Sequence, residues 1–321
     1  MHPASFATCL ADARWQSGLY WYHIYDVPQS QNLPLPPAVR NGQCEFGIEI
    51  ILILAFLHYW IGVSLANACQ IMEFFTGLKL PQSQANALLN QLAADWNAQY
   101  DTIAELIALQ MIVYLDETGW KVGTKSCYTW VFSTAMHVLF RCGVSRKKEE
   151  ATAVLGDAFA GIGVTDDYNA YKKLFSKHQL CWAHLIRKAI KLVLQHSDPP
   201  QYATFLDPLC LIYDDAKETQ QQEQLGDVQR GQKSCQFQDR LKSLCPRWQD
   251  LIEKNVTPTH EETFILLQRE LVTNLDCLFV FVEHPAVEPT NNRSERNVRR
   301  EAEIRKGPAR VRAHREPVVA A

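Results

Sequence analysis

Three acidic residues stand in contexts that suit metal chemistry. Asp116 closes the apolar run Met111-Ile112-Val113-Tyr114-Leu115, and Asp166 follows Gly161-Ile162-Gly163-Val164-Thr165. Glu295 lies within Pro289-Thr290-Asn291-Asn292-Arg293-Ser294-Glu295-Arg296. Carboxylates at strand ends and at the start of a helix can converge although they are distant in the chain. Three that converge offer an all-oxygen site to hard divalent cations. Two such cations can clamp the attacking and the leaving oxygen of a phosphodiester.

Each residue also has a plainer explanation. Asp116 opens Asp-Glu-Thr-Gly, which is good turn chemistry. Asp166 can cap a following helix, with Asp167 beside it pointing the other way along an extended chain. With Asn292 as N-cap, Glu295 falls at the third helical position and completes a variant capping box. The same helix carries Arg296, Arg299, Arg300, Arg305 and Lys306. From Arg293 to Arg315 there are nine Arg or Lys against three Glu, a local excess suited to phosphate contacts. A solvated face with Glu301 and Glu303 pairing along the helix is the alternative.

A fourth motif, His178-Gln179-Leu180-Cys181-Trp182-Ala183-His184, has three candidate metal ligands and no fourth nearby. A structural zinc site needs four. If 179–182 form a strand, Cys181 and His184 point to different faces, so a placement role for His184 near the carboxylates is the preferred reading. No phosphate-cradling glycine loop and no Gly-x-Ser-x-Gly elbow is present.

The elements that must position these residues follow from periodicity. Residues 1–40 read as an irregular arm ending in the proline-rich Leu33-Pro34-Leu35-Pro36-Pro37. Helical patterns dominate 41–108, with Ile50–Ala66 as a buried core helix too short to span a bilayer. Two further segments, 64–75 and 82–96, flank Gly77; ordinary helical packing is the favoured reading over a helix-turn-helix, since the second segment has no Arg or Lys. Strands are expected at Met111–Asp116, Tyr128–Ser133, Val138–Phe140, before Asp166, and at Gln179–Trp182. Helices are expected from Arg146 (capped by Ser145) to about Ala158, around Asn169–Phe175 and from His184 to Gln195. This order predicts an α/β (α+β) fold, a mixed sheet flanked by helices, as in ribonuclease H-like proteins. Residues 196–287 read as a helical insertion, including a helix near Gln236–Glu253, inside a catalytic domain over 109–307.

Composition sets outer limits. At 321 residues, 47% hydrophobic and 21% charged, the chain is an ordinary globular protein. Its formal charge of −3 gives no global sign of nucleic-acid binding. Ten cysteines with no Cys-x-x-Cys pair suit reduced thiols in the cytoplasm. No signal peptide and no membrane segment is read.

Four blocks together resemble one family. Asp116-Glu117-Thr118-Gly119-Trp120, Gly163-Val164-Thr165-Asp166-Asp167-Tyr168-Asn169-Ala170-Tyr171, Cys181-Trp182-Ala183-His184-Leu185-Ile186-Arg187 and Pro289–Arg299 occur in order. They are similar to the signatures of the insertion-sequence sixty-six family of DDE transposases, over about residues 34–307. The resemblance implies Asp116, Asp166 and Glu295 as the catalytic, metal-binding triad, spaced by 50 and 129 residues. It also implies two Mg²⁺ ions, with Mn²⁺ as a substitute, and Asp116 bridging both. DNA contacts are expected from Arg296, Arg299, Arg300 and Lys306, with His184 and Asn292 in support.

The implied partners are element ends and target DNA, a second copy of the chain on DNA, and accessory proteins of the same element. The implied location is the cytoplasm, at the nucleoid when bound to DNA. Two departures stand out: no N-terminal DNA-binding segment or cysteine-rich zinc module is visible, and the Arg/Pro-rich tail over 308–321 resembles a frameshifted or truncated end. The rival expectations are a catalytically inactive remnant that binds DNA or an intact transposase, and a small-molecule metallohydrolase.

Overall fold

The computed structural model describes residues 46–122, 124–143, 145–168, 171, 174–198, 200–252 and 258–306. The arm expected over 1–40 and the tail over 308–321 lie outside the described residues. The described residues divide into two compact units, one of residues 46–102 with 299–306 and one within 103–298.

In the first unit, α1 (Ile48–Ala55) runs into a π-helical turn, Phe56–Trp60, and the chain breaks at Gly62, whose φ is 79°. Helix α2 (Leu65–Thr76) starts at Ser64, whose Oγ accepts the Asn67 N–H, and stops at Gly77 in a left-handed conformation. Helix α3 (Gln82–Asp95) follows Pro81, and the chain passes from the first unit into the second within α4 (Asn97–Ala108). Ile51, Leu54, Ala68, Ala85, Leu88 and Leu89 form the unit's core. The expected single buried helix over Ile50–Ala66 is therefore corrected. Phe56, Tyr59, Trp60 and Ile61 are exposed, because apolar side chains surround this stretch and short neighbouring helices cover only one side of it.

The second unit is built on a five-stranded mixed sheet in the order β3-β2-β1-β4-β5. Its strands are β1 (Ile112–Val122), β2 (Lys125–Ser133), β3 (Val138–Gly143), β4 (Ile162–Thr165) and β5 (Lys177–Leu180). The first three are antiparallel, while β4 pairs parallel with both β1 and β5. Strand β1 does not stop at Asp116. Its outer half, through Val122, pairs residue by residue with β2, which replaces the Asp-Glu-Thr-Gly turn alternative with a long hairpin. At β4, a Cβ on Gly163 would lie 2.3 Å from the Phe175 ring, so only glycine lets that ring cover the strand.

Helix α5 (Lys148–Leu155) lies between β3 and β4. It begins after Lys147 without a side-chain cap, so Ser145 is not its N-cap. The helix expected over Asn169–Phe175 falls largely outside the described residues. The strand expected at Gln179–Trp182 lies two residues earlier, and α6 (Trp182–Gln195) starts at once after Cys181.

Helices α7 (Pro200–Gln220), α8 (Asp227–Leu244), α9 (His260–Thr273) and the short α10 (Val280–Glu283) follow. Helix α8 begins and ends about nine residues before the expected Gln236–Glu253. Pro246 explains the end, since the residue before a proline is pushed out of helical geometry. Trp182, Tyr202, Phe205, Leu209, Phe237 and Phe279 pack these helices against the sheet. Helix α11 (Asn292–Lys306) closes the described chain. Among the described residues no helix is long and apolar enough to cross a membrane, and no disulfide joins the cysteines.

Candidate active site

The sheet's two halves meet at β1, and the acidic residues gather there. Tyr114 is level with Val164 in the parallel pairing, so Asp116 and Asp166 each lie two residues beyond that pair. Strand β4 has ended by then, leaving β1 with a hydrogen-bonded neighbour only on its β2 side, where Asp116 opposes Val131. Open α/β sheets form sites where neighbouring strands part in this way.

Helix α11 brings the third carboxylate. Its first turn is pinned to the sheet by buried polar groups. The Asn291 amide donates to Leu115 O at 2.6 Å, and Ser294 Oγ donates to Val131 O at 3.2 Å. The Asn297 amide reaches Ser133 Oγ at 3.1 Å. These bonds fix the helix beside the backbone on either side of Asp116.

The Glu295 N–H binds Asn291 O, so the N-cap is Asn291 and the expected cap, Asn292, is an exposed first helical residue. Glu295 is then one position past the capping-box site. Its carboxylate turns instead to Cys181, His184 and Arg187, with Arg187 Nη2 at 3.3 Å.

Asp116 carries the clearest electrostatic signature. Burial, then the charges of Glu117, Asp166 and Glu295, push its carboxyl up to about 7 from an ordinary 3.8, opposed by the Glu117 N–H bond. All three sequence-predicted carboxylates thus share one electrostatic neighbourhood. The donors are hard oxygens, and their mutual repulsion is the condition that a divalent cation relieves, so the residues fit Mg²⁺ or Mn²⁺. Asp166 Oδ1 accepts the Tyr168 N–H at 3.1 Å, which orients it without neutralising it.

A cleft of about 250 Å³ opens beside Asp166, lined among others by Arg146, Tyr168, Cys181, His184 and Lys188. The Arg146 guanidinium lies 3.8 Å from the Tyr168 ring centre and donates to Glu117. Glu117 also accepts from Tyr171. Sequence reasoning missed Glu117, Arg146 and Tyr171 in these roles. Glu117 and Tyr171 sit inside quoted blocks, but only the fold reveals their pairing.

Among the expected DNA contacts, Arg296 and Arg299 are exposed. The Arg300 guanidinium lies 3.3 Å from the Trp60 ring centre, within the first unit. The Lys306 side chain is outside the described residues. Cys181 and His184 were expected on opposite faces of a strand, but because α6 starts at Trp182 they converge on Glu295. His178 instead turns to Thr165 Oγ1, 2.7 Å away.

A family model described as Transposase IS66 family matches residues 44–315. No curated protein matches the chain.

Proposed function

The chain belongs to the IS66 family of transposases, and from that membership and the acidic end of the sheet we propose that it is a ribonuclease H-like DDE transposase. In this reading it cuts DNA at the ends of its element and joins them to target DNA. The observation that carries it is Asp116, a carboxyl raised to about 7 by burial and by the charges of Glu117, Asp166 and Glu295.

Asp116, Asp166 and Glu295 are the residues that would hold the divalent cations. Bound Mg²⁺ or Mn²⁺ supplies the Lewis acidity that makes water, and later a 3′-hydroxyl, nucleophilic and that stabilises the leaving oxygen. The chain's own residues do the placing. Asn291 and Ser294 hold the start of α11 on the sheet, so that Glu295 is presented at a fixed height. Arg146 and Lys188 line the cleft, where they can meet a phosphate. Arg296 and Arg299 project from α11 as contacts for the flanking backbone, which gives affinity without sequence choice.

The test uses a labelled DNA end from the flanking element with Mg²⁺, comparing the wild-type chain with Asp116→Ala. Metal-dependent nicking that falls by at least about a thousandfold in the variant supports the reading. Nicking that survives the substitution overturns it. Salt-sensitive DNA binding without nicking favours a DNA-binding remnant instead.

A further inference from the structure

We propose that Cys181, His184 and Glu295 form a second cation site, for a thiophilic divalent metal such as Zn²⁺. It would draw on the same Glu295 that the acidic cluster uses. The three ligand atoms, one sulfur, one nitrogen and one oxygen, all lie within 4.8 Å of one another. Glu295 Oε1 is 3.8 Å from Cys181 Sγ and 3.5 Å from His184 Nδ1. A tetrahedral zinc with bonds of about 2.0–2.3 Å holds its ligands roughly 3.3–3.8 Å apart, so both distances from Glu295 Oε1 are those of a bound site.

Three independent features support a ligand there. The His184 Nδ1 atom is shielded from solvent and makes no hydrogen bond, its contact with Glu295 Oε1 at 3.5 Å being too poorly aligned for one, and a metal bond would satisfy it. The Asn291 N–H donates to Cys181 Sγ at 3.2 Å, the outer contact that a metal-bound thiolate needs. Arg187 engages Glu295 Oε2, leaving Oε1 turned to the sulfur and nitrogen. As the Zn–S bond forms, the Cys181 thiol proton passes to solvent.

Three protein ligands leave a fourth position open towards the cleft that Cys181 and His184 line. Sulfur and imidazole favour zinc, whereas carboxylates alone favour magnesium. One Glu295 cannot serve both sites fully, so zinc occupancy would withdraw the third carboxylate from the acidic cluster and slow cleavage. This consequence rests on the transposase reading; the binding site itself does not.

The test titrates Zn²⁺ into the full chain against a chromophoric chelator, then repeats it with Co²⁺. One site with a thiolate-to-cobalt charge-transfer band is expected. Cys181→Ser should abolish the band, and both Cys181→Ser and His184→Ala should weaken Zn²⁺ by at least about tenfold. Cys245→Ser, a buried cysteine outside the cluster, should change neither. Wild-type affinity retained in both variants, or no thiolate band at all, overturns the proposal. If Cys181→Ser does not fold, the half-exposed His184 position decides alone. Absence of Zn²⁺ binding would count against this site, and absence of Mg²⁺-dependent nicking against the transposase reading.

Discussion

Asp116 and Glu117 are neighbours on β1, and the alternation of a strand sends them to opposite faces of the sheet. On one face, Glu117 is buried yet provided for. Tyr171 and Arg146 both donate to it, and Tyr168 stacks on the same guanidinium. On the other, Asp116 accepts, among the described residues, only the neighbouring Glu117 N–H and feels the acidic charges of Glu117, Asp166 and Glu295. Burial raises both carboxyls, but only Asp116 is left with repulsion as the net effect of its neighbours. A buried charge given donors is part of the scaffold. One held against other charges is kept for something that arrives from solution.

The largest effect should come from removing the opposed charge. In metal-free solution at pH 8, Asp116→Asn should stabilise the chain, by an amount on the order of a few kcal/mol. The sign follows from linkage. The folded-state carboxyl titrates near 7, above its ordinary 3.8, so between these values the folded chain binds more protons than the unfolded one. Stability must then fall as pH rises through this window. Urea unfolding between pH 4 and 8 with a chelator present should show that slope in the wild type and a shallower one in Asp116→Asn. Equal slopes would mean that Asp116 is as well satisfied as Glu117, and the contrast between the faces would be lost.

The opposite face should respond the other way. Tyr171→Phe leaves the packing beside Trp130 but removes a donor from a buried carboxylate. The expected cost is about 1–3 kcal/mol, read as a lower urea midpoint with an unchanged slope. A neutral result would show that Arg146 alone satisfies Glu117.

The sequence made the acidic positions legible because each sits in a distinctive local string. Asp166 follows a short buried strand, and Glu295 lies in a helix with an unmistakable Arg pattern. The strand count and the helical character of 196–287 were also legible from period and composition. Pairing was not. Nothing local in Asp-Glu-Thr-Gly tells a turn from the continuing β1 edge, since the deciding partners, Lys125–Val131, lie beyond the hairpin. The convergence of Cys181 on Glu295 was hidden for a sharper reason. A two-residue shift in the end of β5 moves Cys181 and His184 from a strand's two faces to one turn of α6. The N-cap moved by one residue, from Asn292 to Asn291, because Asn291 is the side chain that can reach Leu115 O.

The smallest predicted effect concerns a pair that looks important on contact alone. Arg187 meets Glu295 at 3.3 Å, but its side chain is 54% exposed. Water competes for the guanidinium and salt screens it, so the pair is worth under about 1 kcal/mol. Glu295 is instead placed by the buried bonds of Asn291 and Ser294 to the sheet. Arg187→Ala should therefore shift the urea midpoint by less than Ser294→Ala, whose hydroxyl is fully buried against Val131 O. Raising salt should shrink the Arg187 effect further and leave the Ser294 effect unchanged. If Arg187→Ala were the more damaging of the two, the helix would owe its position to charge, and the division between a provided-for scaffold and an opposed site would have to be redrawn around Glu295.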